Sequence, residues 1–263
     1  MIFTEPLPKS LSPSRLQDFQ ACPRRYQYAS IERIPQPASY ATAKGRFVHY
    51  LFEHLHRQPA PERTLDTARS FIPAAIEEIL PEHVQSEIAM DDVMLAKLLS
   101  ESDAILQTYF AMEDPQSVNS EGVELQLGVT VDGVPLFGIL DRLDRDENGE
   151  LVIVDYKTGR LPNRNFDTKT FANAELYAAL CEAKLGEKPT KIRLFYVAHG
   201  EVLERSVTDV VIRARTSAAR AAWERINHYY DEGAFPATPT PNACRFCAFK
   251  ENCRASGVLV AFR

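Results

Sequence analysis

Through the first 113 residues, apolar positions recur at three- and four-residue intervals, the spacing that gathers them on one side of a helix. In "SLSPSRLQDFQAC", Ser12 stands as N-cap and Pro13 at N1, with Leu16, Phe19 and Tyr26 on one side. The same spacing predicts further helices over roughly 41–57, 64–80 and 91–113. From 120 the pattern changes to strands, "GVELQLGVTV", "VPLFGILDRLD" and "LVIVDYK", joined by "VDGV" and "DENG", which are hairpin-turn chemistry. A helix at about 169–184 follows, then strands "KIRLFYVA" and "EVLERSV" and a long helix at 208–231. This order suggests an α/β or α+β core with a helical N-terminal part.

The 263 residues are enough for one large domain or two small ones. No repeat, low-complexity segment or long Gly/Ser linker marks a boundary, so a single domain over 1–263 is expected, with a helical part to 113, a core over 120–232 and a tail over 233–263. With 45% hydrophobic and 25% charged residues the chain reads as an ordinary soluble protein. Its longest apolar runs are short, such as "LVIV" at 151–154. The first thirty residues carry Arg15, Asp18, Arg24 and Arg25 in place of a signal-peptide core, so a cytoplasmic location and no membrane partner are expected. The formal net charge of −6 argues against coating nucleic acid by bulk attraction, but not against a local basic track around acidic metal ligands. Basic residues gather at Arg24, Arg25 and Arg33, and again at Arg160, Arg164 and Lys169.

The stretch richest in candidate chemistry is "GILDRLDRDENGELVIVDYKTG", 138–159. In an extended strand Asp155 and Lys157 project to one face, at the end of a strand that is otherwise apolar, where charge is costly unless a metal or partner offsets it. Whether Asp141 joins them depends on the turn. A two-residue Asn148-Gly149 loop pairs Asp141 with Tyr156 and separates the carboxylates to opposite faces. A three-residue Glu147-Asn148-Gly149 loop, with Gly149 left-handed, pairs Asp141 with Asp155. Two carboxylates about 5 Å apart at Cβ suit a hard cation such as Mg²⁺ or Mn²⁺. The plain alternative is a hairpin with solvated Asp and Lys.

The order of these motifs resembles the nuclease domain of the RecB-like exonucleases in the PD-(D/E)XK superfamily. "GILDRLD" is similar to that family's G-x-x-D-R motif and "VDYKTG" to its D-Y-K-T-G motif. The helix bearing Asn173 and Tyr177 matches its Q-x-x-x-Y motif, and "GRFVHYLFEHLH", with Gly45 and His49, its G-x-x-x-H helix. The resemblance spans about 45–177. It implies a restriction-endonuclease-like α/β fold, a central mixed sheet flanked by helices. It also implies that Asp141 and Asp155 bind the divalent metal with His49 as a further ligand, that Lys157 orients the attacking water, and that Tyr177 helps hold the DNA or the site. The family's glutamine is replaced by Asn173, a shorter amide with the same donor and acceptor, which puts its role in question.

Other candidates have plain readings too. His49 and Glu53 lie one helical turn apart, and with Gly45 and His56 they form a polar stripe on an otherwise apolar helix. His54, His56, His83, His199 and His228 read as structural or surface residues. Cys181 reads as a small buried thiol, and Glu124 as either facing the site or an edge charge.

Three of the five cysteines crowd into "CRFCAFKENC", 244–253. A cytoplasmic chain keeps thiols reduced, so such a cluster points to a metal site before a disulfide framework. Cys244, Cys247 and Cys253 with the distant Cys22 suit Zn²⁺ or an iron–sulfur cluster, and a local triplet plus one remote cysteine favours [4Fe–4S] over Zn²⁺. The resemblance agrees: the AddB nuclease domain and CRISPR-associated RecB-like exonucleases carry one cysteine before the nuclease motifs and a C-x₂-C-x₅-C triplet after them. On this reading the cluster staples the N-terminal helix to the C-terminal tail.

The expected function is thus a metal-dependent deoxyribonuclease, an exonuclease on single-stranded DNA ends in repair or recombination, with a helicase or integrase as possible partner. Three alternatives stay open: a CRISPR-adaptation nuclease, a DNA-binding module weakened at Asn173, and a zinc-stapled scaffold.

Overall fold

The computed structural model describes residues 3–162, 170–253 and 255. In chain order its first helices are α1 (Pro13–Ala21), α2 (Pro23–Tyr26), α3 (Tyr40–His56), α4 (Leu65–Ser70), α5 (Ile72–Ile79), α6 (Glu82–Glu87) and α7 (Asp92–Met112). Strands β1 (Ser120–Val131), β2 (Val134–Arg145) and β3 (Leu151–Lys157) come next. Then follow α8 (Ala172–Leu185), β4 (Lys191–Tyr196), β5 (Glu201–Ser206), α9 (Asp209–Asp231) and α10 (Pro241–Arg245).

The chain divides into two compact units. One comprises Met1–Pro37, Leu127–Gly138 and Asp209–Arg263, the other Ala38–Gln126 and Ile139–Thr208, and strands β1 and β2 run from one into the other. The strands form one mixed sheet in the order β1-β2-β3-β4-β5. β2/β3 and β4/β5 pair antiparallel, while β3 and β4 are parallel, with α8 in the crossover between them. A mixed sheet with flanking helices is the expected α/β architecture. Among the described residues no helix is long and apolar enough to cross a membrane.

Local chemistry accounts for the element boundaries. Ser12 caps α1 by accepting from Arg15 N–H, with Pro13 in its first turn, and Ser39 forms a capping box with Thr42 at the start of α3. The helix expected over 64–80 is two helices. Phe71 ends α4 and begins α5, and Pro73 in the next turn has no N–H to carry one ladder through. α6, which the spacing did not reveal, buries only Val84.

In the second unit β3 separates two environments. Val152, Val154 and Tyr156 join Phe195 and Val197 in a core with Phe47, Val48, Leu51, Phe52 and Leu55 of α3 and Leu106 and Tyr109 of α7. The alternate residues Ile153, Asp155 and Lys157 point to the other face, and α8 packs against β3.

A candidate metal centre and a four-cysteine cavity

The β2–β3 turn is the three-residue form. Asp146 N–H donates to Glu150 O and Gly149 N–H to Asp146 O, both at 2.9 Å, and Gly149 has φ +79°. The Asp146 carboxylate accepts from the backbone N–H groups of Asn148 and Glu150, an Asx turn that favours this loop over a two-residue one. The register is therefore Arg142↔Val154, and one step further Asp141 stands opposite Asp155. At that step Tyr156 N–H donates to Asp141 Oδ2 at 2.8 Å, so the two strands open into a fork at the carboxylates.

His49 of α3 reaches this fork. Its Nε2 is 3.1 Å from Tyr156 O and its Nδ1 3.5 Å from Asp141 Oδ2. Gly45, one turn earlier, faces the end of β3: a Cβ there would stand 3.4 Å from Thr158 Oγ1, ordinary contact distance. Glu124 arrives from β1, and the ligand atoms of His49, Glu124 and Asp141 lie within 4.8 Å of one another. Glu124 holds φ +47°, a left-handed conformation unusual inside a strand, which interrupts the alternation there.

Asp155 is 9% exposed, and Lys157 Nζ lies 2.5 Å from its Oδ2. A buried carboxylate beside a His-Glu-Asp trio is a donor set that fits a hard divalent cation.

The protonation states agree with such a site. Burial disfavours the His49 imidazolium, but Asp141, then Asp155 and Glu124, overrule it and raise His49 to about 9. Burial, with the charges of Asp141 and Glu53 behind it, raises Glu124 to about 7. Burial and the Asp141 charge also raise Asp155. Burial works against the Lys157 ammonium, yet Asp155 and Asp141 raise its pKa, so it stays charged. Metal-free, the cluster holds protons that a cation would displace.

Tyr177 of α8 is half-buried, and burial followed by the Asp141 and Asp155 charges raises its hydroxyl. Asn173 lies one turn earlier, half-buried. Cys181 is buried, its thiol pushed up to about 12 by that burial, in keeping with a packing role. His56, read with the polar stripe of α3, is 2% exposed and held in a buried network. The sequence signal for Glu124 was only its strand position. Arg164 and Lys169 lie outside the described residues.

In the other unit, Cys22, Cys244, Cys247 and Cys253 line one cavity with Arg24, Arg25 and Lys250. The five cysteines form no disulfide with one another. Cys22 sits between α1 and α2 and accepts from Thr238 N–H at 3.4 Å. Burial opposes its thiolate, but the N–H groups of Thr238, Arg25 and Arg24 outweigh it and lower the pKa. The two chain ends are also tied directly: Arg24 Nε donates to Phe235 O at 2.6 Å, and Tyr28 Oη to Asn252 O at 3.3 Å. Arg25 pairs with Asp18 at 2.8 Å. Four thiols in one cavity with basic neighbours fit a cluster that carries negative charge.

A model of the PD-(D/E)XK nuclease superfamily matches residues 10–254. No curated protein matches the chain. Among solved structures, one titled "Putative exonuclease", from Eubacterium rectale, is similar with a TM-score of 0.58 and 12% identity, over 94% of this chain and 87% of that one. A second, SSO0001, has a TM-score of 0.39 and 15% identity, over 92% of this chain and 93% of that one.

Proposed function

We propose, from the premise that this chain belongs to the PD-(D/E)XK nuclease superfamily, that it is a metal-dependent exonuclease on single-stranded DNA ends, of RecB-like type, working in repair or recombination. The observation that carries the reading is the register that sets Asp141 opposite Asp155, with His49 and Lys157 beside them. Asp141, Asp155, His49 and Glu124 would hold Mg²⁺ or Mn²⁺. Once bound, the cation supplies a centre that acidifies water and stabilises charge on a phosphoryl oxygen. Lys157, kept as an ammonium by Asp155 and Asp141, cannot take a proton. Its part is to orient the nucleophile by donating to it and to face the developing negative charge. Tyr177 borders the same carboxylates from α8, and with Asn173 one turn earlier it would position the DNA backbone. Hydrolysis adds water across one P–O bond and leaves a phosphate and a hydroxyl end.

Cys22, Cys244, Cys247 and Cys253 would hold a [4Fe–4S] cluster, which four thiolates in one cavity support. A helicase or integrase partner would supply its single strands.

The test is cleavage of end-labelled single- and double-stranded DNA by anaerobically purified protein with Mn²⁺, Mg²⁺ or EDTA, beside Lys157→Ala. Metal-dependent loss of terminal nucleotides from single strands, abolished in the variant, is the expected result. Binding without cleavage by the folded protein would favour a DNA-binding module instead, with Asn173 the residue to examine.

A further inference from the structure

Arg142 follows Asp141 in sequence but turns to the opposite side of the strand, where it is fully buried. Its guanidinium gathers groups from four elements. Nη1 and Nη2 donate to the two Glu113 oxygens, just beyond α7, at 2.8 and 3.0 Å. Nε donates to Asp144 Oδ2 of β2 at 3.0 Å and Nη1 to Tyr156 Oη of β3 at 2.6 Å. Nη1 also lies 2.9 Å from Tyr109 Oη of α7 and from His56 Nε2 of α3. Burial, then the Arg142 charge, drops His56 to about 2, so its ring faces this cation in the neutral form.

Three of these elements also carry the candidate metal centre: β2 bears Asp141 and β3 bears Asp155 and Lys157 on their other side, and α3 bears His49. The offset is small in each case. Arg142 neighbours Asp141, Tyr156 lies between Asp155 and Lys157, and His56 is two turns from His49 on the same helix face. The Tyr156 carbonyl faces His49 Nε2 while its hydroxyl is held by Arg142.

We propose that Arg142 is a positioning residue: its buried fork locks α3, β2 and β3 together behind the sheet and so sets the spacing of the metal ligands in front. The inference rests on the metal-dependent reading above. A planar guanidinium suits this role because it presents five N–H groups in fixed directions, whereas a lysine is a single mobile point charge. Shifts of a few tenths of an ångström in ligand spacing matter to a cation such as Mg²⁺, which demands near-ideal geometry.

The experiment compares Arg142→Lys and Tyr156→Phe with wild type and with Leu98→Ala, a core change on α7 about three turns before Tyr109. Mn²⁺ affinity is read directly from the electron paramagnetic resonance of free Mn²⁺, beside melting temperature and the metal dependence of cleavage. Arg142→Lys and Tyr156→Phe should weaken Mn²⁺ binding roughly ten- to a hundredfold, the usual cost of removing a group that orients metal ligands. KM for DNA should hold and excess Mn²⁺ restore much of kcat. Leu98→Ala should lower the melting temperature and leave Mn²⁺ affinity unchanged. Tyr156→Phe keeps the test alive if Arg142→Lys fails to fold. Variants that melt lower but bind Mn²⁺ as wild type does would overturn the proposal while leaving the nuclease reading intact. A folded wild type that neither binds Mn²⁺ nor cleaves DNA would overturn both.

Discussion

Asp141 and Tyr156 are joined by a hydrogen bond from the Tyr156 N–H to Asp141 Oδ2 at 2.8 Å. That amide belongs to the peptide linking Asp155 to Tyr156, so one peptide unit fixes both carboxylates of the candidate centre. Asp141→Asn can still accept this bond through its amide oxygen but loses the charge. It should fold as wild type does, yet lose more than about a hundredfold in metal-dependent cleavage, since even outer partners of a metal cost roughly ten- to a hundredfold. Circular dichroism and initial rates in Mn²⁺ check both halves, and full activity in a folded Asp141→Asn would remove Asp141 from the metal site.

The protonation of the centre predicts a pH effect with a definite sign. Glu124 is raised from 4.5 to about 7 and His49 from 6.5 to about 9 in the metal-free fold. In the window between these values the folded chain binds more protons than the unfolded one, so both groups' contributions are present at low pH and fall as pH rises. Glu124→Gln mimics the protonated carboxyl. In EDTA it should melt with the wild type at pH 5 and above it at pH 8, and added Mn²⁺ should reverse the order at pH 8. A wild type that is the more stable at pH 8 in EDTA would show the direction to be wrong.

The turn offers a prediction about register. Gly149→Ala places a side chain at φ +79° and should cost about 1 kcal/mol, with activity retained. Asp146→Ala removes the carboxylate that caps the three-residue loop, and the two-residue Asn148-Gly149 loop it then allows moves Asp141 out of line with Asp155, so cleavage should fall by more than the loss of stability accounts for. Urea melts and rate assays on the pair would separate the two effects. Full activity in Asp146→Ala would contradict the register argument.

For the cysteine cavity, Cys247→Ser should reduce bound iron and its absorbance in anaerobically purified protein. Because a centre formed only in the folded state adds its binding energy to stability, the variant should also be cut faster in its C-terminal tail by a protease. The direct ties from Arg24 to Phe235 and from Tyr28 to Asn252 predict that the ends loosen rather than unfold outright. Equal iron content in variant and wild type would exclude Cys247 as a ligand.

Most of the fold was legible because its signals are local. Ser12 and Pro13 announce α1, and the polar alternation of β1 and β2 around Asp132-Gly133 announces a hairpin, whose two turn residues both have positive φ. Pro73 was equally visible, but a run of apolar spacing through 64–80 concealed the break it causes between α4 and α5.

The site was legible only in part. The residue types and their order singled out His49, Asp141, Asp155 and Lys157, yet the sequence left two registers open. The choice lies with the Asp146 carboxylate, which caps the three-residue turn. Glu124 reads as an ordinary strand residue until its left-handed backbone brings it to His49 and Asp141. Arg142 is in the sequence only the residue that follows Asp141, and nothing nearby foretells that His56, 86 positions away, and Glu113, 29 positions away, close around it.

By itself, then, the sequence determined the elements, the α/β class and the candidate chemistry, since periodicity, caps and turn residues act over a few positions. Only the tertiary structure decided which acids meet, which histidine is buried and which charge stands behind the sheet. Those outcomes depend on desolvation and on contacts between distant elements, which no local pattern encodes.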